Sequence, residues 1–416
     1  MGLGGATAPG TEDDTADEFS LFLHDLRTRE LGRLPAGAKV VLSGGASGGW
    51  YFDWFQSHYP TTVERHIGVE AFAPEPDDLP PRVEWISASL GDLRPVESGS
   101  VDLVFGGQVI EHLWPDEISG FLSAAHRVLR RGGDLVLDSP NRRVTQAINW
   151  LHPEHTVEFT VDEIVELLQL AGFEDVRVRG VLLAYDSARH RYLTLGELGG
   201  KAGRHGRAES AAAKPEESFV WWAEATRGNR KPAEDALQRR VRDLFSRFRK
   251  YRLNHSMSPV GEIDEIPDFG RVIHAAPGNG GPMLFGPYIP MPPGSWIAAF
   301  DLAALDASQH PRDARAAVLE VTHGNSAVEL GVRSVAAGDL SVDRQWSRYT
   351  VGFALAEATM GVEFRIMSDG RLDLFARASI DLQPAGAPGL TPRQPPQRRV
   401  KKWLSRLRER SPLSAG

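Results

Sequence analysis

The chain has 416 residues, of which 41% are hydrophobic and 25% charged, a composition typical of a folded protein with about two or three domains. The absence of cysteine excludes disulfide bonds, thiolate metal sites and a cysteine nucleophile. The formal net charge of -8 argues against nucleic acid as a partner, and no run reaches the roughly 18 apolar residues of a membrane-spanning helix. Residues 1–19 are small, polar and acidic without a secretion signal, so we expect them to be disordered and the protein to be cytoplasmic.

Short apolar runs alternate with helical patterns from residue 38 to residue 140, which predicts βαβ units and a mostly parallel sheet. The predicted strands are residues 39–43, 66–70, 83–86, 101–105 and 134–138. A helix is predicted before the last of these strands, because apolar residues recur at helical spacing ahead of Gly132 and Gly133.

A second helix is predicted to begin after Thr160, since Thr160 and Glu163 form a capping-box pattern. Strands over residues 176–183 and 218–223 would complete the sheet. Between them, residues 186–217 show no clear period and predict a long insertion or loop.

The pattern changes near residue 258, where short β-like runs punctuated by Gly, Pro and Asp replace the alternation of strands and helices. Strands without intervening helices predict an all-β antiparallel sandwich domain. The predicted segments are residues 1–19 (disordered), 20–230 (α/β domain), 231–257 (helical connector), 258–383 (β-sandwich domain) and 384–416 (Pro-rich linker and basic tail).

A glycine-rich turn, residues 43–49, follows the first predicted strand, where backbone N–H groups approach a bound cofactor closely. Glu70 ends the second strand, at the place where a carboxylate accepts the hydroxyls of a ribose. These two features alone fit a dinucleotide equally well, as in a nicotinamide-dependent oxidoreductase.

The segment GSVDLVFGGQVIEHL, residues 99–113, followed by RGGDLVL, residues 131–137, resembles the class I S-adenosylmethionine-dependent methyltransferases. In that family such segments form strand four, the helix after it and strand five. Residues 153–173 extend the resemblance, which covers about residues 20–225. It implies a Rossmann-like methyltransferase domain with a seven-stranded, mostly parallel sheet and S-adenosyl-L-methionine as cofactor. The nicotinamide alternative has no support from residues 99–137.

The resemblance assigns cofactor binding to a glycine loop, to the ribose carboxylate and to two later positions. These residues are Gly44, Gly45, Ala46, Gly48, Glu70, Ser89 and Gln108. The chain departs from the family pattern at Leu42, where the family usually has Asp, and at Ala46, where it has the middle glycine of G-x-G-x-G. The alternative from another class is a catalytically silent relative that binds a glycan or a protein partner.

His112 and His155 follow strands four and five, at the carboxyl edge where open α/β sheets bind ligands. Either imidazole is a candidate general base for a hydroxyl acceptor. The structural alternative is that Glu111 and His112 only cap and buttress the following helix. The sequence has no HExxH motif and no carboxylates at ligand spacing, so we expect no metal site.

Residues 286–296 and 362–366 resemble β-sandwich, carbohydrate-binding-like modules of bacterial polysaccharide-assembly enzymes. Tyr288, Trp296, Trp346 and Arg365 are the candidate sugar-binding residues, unless the sandwich serves only to pack on the first domain. We therefore predict O-methylation of a sugar or cell-surface polysaccharide intermediate. The basic, amphipathic residues 398–410 predict peripheral contact with an anionic membrane, or else a solvated tail.

Overall fold

The structure is a computed structural model that forms two compact units, Met1–Phe248 and Arg249–Gly416. It describes residues 13–46, 48–148, 150, 152, 155–200, 203–248, 251–252, 260–266, 270–305, 307–324, 326–341 and 346–385. The predicted tail helix, residues 398–410, therefore lies outside the described residues. No helix in the described ranges is both long and apolar enough to cross a membrane.

The first unit alternates strands and helices as the sequence predicts. Its elements are α1 (Asp13–Leu31), β1 (Val40–Gly44), α2 (Gly49–His58), β2 (Arg65–Glu70), β3 (Val83–Ser87), β4 (Val101–Gly107), α3 (Pro115–Val128), β5 (Leu129–Pro140), α4 (Arg142–Ala147), α5 (Val161–Leu170), β6 (Phe173–Gly180), β7 (Tyr185–Asp186), β8 (Arg191–Tyr192), α6 (Leu195–Gly199), α7 (Arg204–Ala211), β9 (Val220–Arg227) and α8 (Glu234–Phe248).

The main sheet has seven strands in the order β3-β2-β1-β4-β5-β9-β6, which confirms the predicted Rossmann-like architecture. Strands β1 to β5 pair in parallel, and β9 runs antiparallel to both of its neighbours, β5 and β6. The chain order reverses between β1 and β4. Such a reversal opens a crevice at the carboxyl ends of the strands, so these two strand ends mark the ligand site.

The N-terminal prediction is wrong from Asp13 onward, because α1 begins there and residues 13–19 are helical. Phe19, Phe22 and Leu26 recur at helical spacing and are buried in the core of the first unit. This apolar stripe stabilises a helix whose first turns are polar and acidic, the composition from which disorder was predicted.

Residues 186–217 are also more ordered than the sequence predicts. A short hairpin of β7 and β8 is followed by α6 and α7, and α6 starts with a capping box formed by Thr194 and Glu197. Leu193, Leu198 and Ala211 are buried, so the insertion contributes to the core. The helix predicted after Thr160 is confirmed as α5, with the expected Thr160–Glu163 capping box.

The predicted connector, residues 231–257, is a helix only as far as Phe248, and α8 belongs to the first unit. Its apolar stripe, which includes Leu237 and Val241, is buried, and Arg240 pairs with Glu166 of α5 at 2.8 Å. This packing explains why the division between the units falls at Phe248 rather than at the predicted residue 258.

The second unit is built of antiparallel strands in separate sheets, as predicted. Its strands are β10 (Tyr251–Arg252), β11 (Glu262–Ile266), β12 (Gly270–Ala275), β13 (Gly281–Leu284), β14 (Pro287–Met291), β15 (Gly294–Ala304), β16 (Arg315–His323), β17 (Val328–Ala336), β18 (Ser347–Leu355), β19 (Thr359–Ser368), β20 (Leu374–Arg377) and β21 (Ser379–Pro384).

Candidate active site

Gly44 and Gly45, at the end of β1 and the start of the glycine loop, are packed so closely that a side chain is excluded at both positions. A Cβ atom on Gly44 would lie 2.5 Å from Leu90 Cδ1, and one on Gly45 would lie 2.7 Å from Val109 Cγ2. Gly45 also has φ +67, a backbone conformation that strains residues with a side chain. The structure thus brings the glycine loop against the segments that contain Ser89 and Gln108, as the resemblance implies. Ala46, which replaces the middle glycine, is accommodated with its methyl group fully buried.

Glu70 lies at the carboxyl end of β2, and one of its two carboxylate oxygens already accepts hydrogen bonds from the backbone. Its Oε1 accepts the backbone N–H groups of Phe72 at 2.7 Å and Ala73 at 3.3 Å, which fixes the carboxylate in the turn. Its Oε2 makes no hydrogen bond with any residue that the structure describes. An oriented carboxylate with an oxygen to spare fits the ribose hydroxyls of S-adenosylmethionine.

Ser89 is held by groups of its own chain. Its hydroxyl donates to Glu117 Oε1 at 2.5 Å and accepts from the backbone N–H of Gly91 at 3.1 Å. Asp92, the nearby acidic residue, pairs with Arg94 at the exposed surface. A role of Ser89 at the adenine edge stays a prediction; the structure shows that the Ser89 loop is anchored to the start of α3.

Gln108 ends β4 in a left-handed conformation, with φ 54. Its backbone N–H donates to the carbonyl oxygen of Asp138, and its Nε2 donates to Asp138 Oδ2, both at 2.9 Å. A residue with a side chain is strained at this φ, and the paired hydrogen bonds offset the strain. Gln108 therefore belongs to a fixed junction between the ends of β4 and β5.

Arg27 of α1 completes that junction, although no sequence motif pointed to it. Its Nε lies 2.5 Å from Oδ2 of the fully buried Asp138, and a second guanidinium nitrogen lies 3.1 Å from Oδ1. Burial alone would lower the pKa of Arg27, but the attraction of Asp138 outweighs it and raises the pKa. The position of Asp138 at the end of a predicted strand marks it as a candidate site residue, whereas Arg27 is distant in sequence and lies on α1, a helix that was not predicted.

The two predicted catalytic histidines meet at this edge of the sheet. His112 lies in a 3-10 turn, Ile110–His112, directly after β4, and His155 lies in the loop between α4 and α5. Their ring centroids are 4.9 Å apart, and the ring of His152 stacks on that of His155 at 4.5 Å. The sequence analysis missed His152, which only the fold brings to His155 and His112.

A buried carboxylate orients His155. Nδ1 of His155 lies 2.7 Å from Glu158 Oε1, and the hydroxyl of Thr145 donates to the other carboxylate oxygen of Glu158. Burial lowers the pKa of His155 to about 3 and raises the pKa of Glu158 to about 7. The imidazole is therefore uncharged near neutral pH, the form in which it accepts a proton or binds a metal.

Glu111 is fully buried, and neither of its carboxylate oxygens makes a hydrogen bond of normal geometry, although the Ser139 side chain and the Glu111 backbone favour its charged form. Burial raises the pKa of Glu111 to about 8. It does not cap α3, because the backbone N–H at the start of that helix, on Trp114, donates to Glu117 Oε2 at 3.1 Å. The capping alternative is thus wrong for Glu111, whose backbone carbonyl instead accepts from Thr156 of the His155 loop at 2.7 Å.

Although the sequence predicted no metal site, the fold gathers a group of metal-ligand type. Glu111, His112 and His155 each offer one ligand atom, and these atoms all lie within 4.8 Å of one another. Sequence spacing missed the group because its members come from two separate segments.

Of the predicted sugar-binding aromatic residues of the second unit, Trp296 is buried, and Tyr288 and Trp346 are half-buried. Trp296 is only 5% exposed, because it lies on β15 between two neighbouring strands. The Tyr288 hydroxyl donates to the buried Glu363 at 3.0 Å, and Arg365 pairs with Glu320 at 3.4 Å. Sugar binding through Trp296 stacking is therefore a wrong prediction. The similarity of this unit to carbohydrate-binding modules stays a sequence-based expectation.

Comparison with known proteins gives the family. The family model described as "Methyltransferase domain" matches residues 42–137. A probable S-adenosylmethionine-dependent methyltransferase of Mycolicibacterium smegmatis is 34% identical over 200 residues, which cover 45% of this chain and 72% of that protein. Another, from Mycobacterium tuberculosis, is 42% identical over 107 residues, 24% of this chain and 36% of that protein.

Among solved structures, a SAM-dependent methyltransferase from Archaeoglobus fulgidus is 16% identical, with a TM-score of 0.35; the match covers 50% of this chain and 94% of that one. The family rests on the sequence relatives, and the glycine loop, Glu70 and the strand-four motif lie within the matched residues 42–137. The chain therefore belongs to the S-adenosylmethionine-dependent methyltransferases, and S-adenosylmethionine is its cofactor.

Proposed function

We propose that the enzyme transfers a methyl group from S-adenosylmethionine to a hydroxyl oxygen of a sugar or polysaccharide intermediate. The glycine loop and Glu70 would hold the cofactor, the loop through the close approach of its backbone and Glu70 through its Oε2 atom. Bound there, the cofactor supplies an electrophilic methyl group on a sulfonium. The chain must then align the acceptor with it and take up the acceptor proton.

The choice of a hydroxyl as the acceptor depends on the imidazole of His155, which a buried carboxylate holds in place. A neutral amine attacks a methyl group without help, whereas a hydroxyl is a weak nucleophile until it loses its proton. Glu158 and Thr145 fix the His155 ring in the way that a carboxylate fixes a catalytic base, and His112 lies beside it. When no cation is present, the acceptor proton would therefore leave to the hydrogen-bonded pair of His155 and Glu158, because Glu158, with a pKa of about 7, lets the pair hold a proton that the imidazole alone would not.

The proposal that the acceptor is a sugar depends on the resemblance of residues 286–296 and 362–366 to carbohydrate-binding-like modules. The matching segments of the mycobacterial relatives lend no further support, since their names state no acceptor.

The test is methyl transfer by the full-length chain to a panel of mono- and oligosaccharides and matched amines, with products located by mass spectrometry and NMR. We expect methylation of a sugar oxygen. Methylation of amines alone would contradict the choice of a hydroxyl, and transfer only to non-carbohydrate alcohols would contradict the sugar.

The alternative of a protein that only binds predicts no turnover with any acceptor. Calorimetry with S-adenosylhomocysteine accompanies the assay as a control, because it shows that the cofactor site is intact in the preparation.

A further inference from the structure

We propose that Glu111, His112 and His155 bind one divalent transition-metal ion, of which Zn²⁺ fits the ligand set best. Their ligand atoms lie within 4.8 Å of one another without a metal present. Ligands of a tetrahedral zinc ion at about 2.0–2.1 Å are about 3.4 Å apart, so small side-chain rotations close the site. An acceptor hydroxyl or water would complete the coordination.

The unpaired carboxylate of Glu111 is the second observation that points to an ion. A buried carboxylate normally has hydrogen-bond donors or a cation beside it, because removing it from water is costly. Neither oxygen of Glu111 makes a hydrogen bond of normal geometry with a described residue, and the side chain has no exposure. A divalent ion between Glu111 and the two imidazoles would satisfy these oxygens and favour the charged form of the carboxyl group.

His155 also has the outer contacts of a metal ligand. Its Nδ1 faces Glu158 at 2.7 Å, which leaves Nε2 as the nitrogen for the metal, and Glu158 is held in turn by Thr145. Metal-binding histidines usually have such a carboxylate on the other ring nitrogen, because it fixes the ring and makes it a better ligand. Glu158 is thus a positioning residue for the site.

The ligand set selects the class of metal. Two imidazoles and one carboxylate suit zinc and its first-row neighbours, whereas Mg²⁺ and Ca²⁺ prefer sites made wholly of oxygen atoms. The absence of cysteine in the chain fits a site of nitrogen and oxygen ligands.

The role of the ion, though not its binding, rests on the proposed function. An acceptor hydroxyl that coordinates the ion loses its proton more readily, because the metal lowers the pKa of bound oxygen ligands. In the loaded enzyme His112 and His155 would hold the ion, and the proton would pass to solvent. The acceptor oxygen would then displace the sulfur from the methyl group and leave S-adenosylhomocysteine.

The test measures metal binding without any acceptor. Chelator-treated full-length protein is titrated with Zn²⁺ by calorimetry and with Co²⁺ by visible absorption, and bound metal is counted after desalting. We expect one equivalent, with a Co²⁺ spectrum of four- or five-coordinate nitrogen and oxygen ligands. Glu111→Gln and His155→Gln should each weaken binding at least tenfold, and Glu158→Gln about tenfold or more.

Matched controls are His190→Gln, which removes an exposed histidine, and Glu64→Gln, which removes a carboxylate that pairs with Lys39 on the surface. Both should bind like the unaltered chain. S-adenosylhomocysteine affinity reports whether each variant is folded; because Glu111 and His155 come from separate segments, either variant suffices.

No stoichiometric binding by the unaltered protein, or equal binding by the folded Glu111→Gln or His155→Gln variant, would overturn the site. Metal binding without methyl transfer to any hydroxyl would instead contradict the proposed function and leave the site standing. Undiminished methyl transfer after complete metal removal would contradict the role given to the ion.

Discussion

The two halves of the candidate site are built in different ways. The cofactor half combines backbone at the end of β1, where Gly44 and Gly45 leave no room for a Cβ atom, with one carboxylate, that of Glu70. The acceptor half consists of side chains, with Glu111 and His112 after β4 and His155 from a loop beyond β5. A backbone site is damaged by added atoms, whereas a side-chain site is damaged by removed ones, so substitutions should separate the two halves.

The largest effect is expected in the acceptor half. His155→Gln should lower kcat by about 10²- to 10⁴-fold, the usual contribution of a group that assists proton removal, and leave the Kd for S-adenosylhomocysteine unchanged. Kinetics with saturating cofactor and calorimetry measure the two quantities. His190→Gln serves as the control, and a parallel loss of cofactor affinity would show that the halves are not separate.

Arg27→Met tests the junction between the halves. It leaves the buried charge of Asp138 without its cation, and breaking a buried ion pair in this way costs about 3–5 kcal/mol of unfolding free energy. Urea denaturation measures the change. Arg94→Met removes an exposed partner of Asp92 and should leave the free energy of unfolding almost unchanged, because solvent screens this pair. Similar values for the two variants would contradict the structural role of Arg27.

His66, which contacts Ser43 of β1, makes the stability of the fold sensitive to acid. Its Nε2 lies 2.8 Å from the Ser43 hydroxyl, and burial lowers its pKa from 6.5 to about 3. The unfolded chain therefore takes up the proton first, so the stability from neutral His66 is present above about pH 6.5 and is lost as pH falls toward 3.

This contribution amounts to about 2 kcal/mol between pH 7 and pH 5. We expect His66→Gln to lose less unfolding free energy than the unaltered chain over that interval, measured by urea denaturation at each pH. The other histidines are common to both proteins. An equal loss would show that His66 is solvated and free to titrate.

The smallest effect is expected from a single methyl group in the cofactor half. Gly45→Ala places a Cβ atom close to Val109 and strains a backbone at φ +67, which should weaken S-adenosylhomocysteine binding about tenfold. Gly37→Ala is the control, because Gly37 also has a positive φ but open space around it. Unchanged affinity in Gly45→Ala would mean that the loop adapts to a side chain.

The contrast between the halves also explains what the sequence could predict. The strand-by-strand fold and the glycine loop follow from local patterns, since apolar runs, capping residues and glycines are neighbours in the chain. The partners of His155 could be found only in part: Glu158 is three residues away, but Thr145 and His112 are brought to it by the fold. Arg27 and the packing of α8 depend on contacts between distant segments, for which one sequence carries no signal.

The ion pair of Arg27 and Asp138 connects the segment that identifies the family to a helix that precedes it in the chain. The motifs that the family model matches lie within residues 42–137, yet the partner of the Asp138 carboxylate, just beyond them, comes from α1. A protein excised from residue 38 onward would keep those motifs and lose the cation, as well as the buried stripe of Phe19, Phe22 and Leu26. The segment that identifies the family is therefore smaller than the autonomous folding unit that makes it an enzyme.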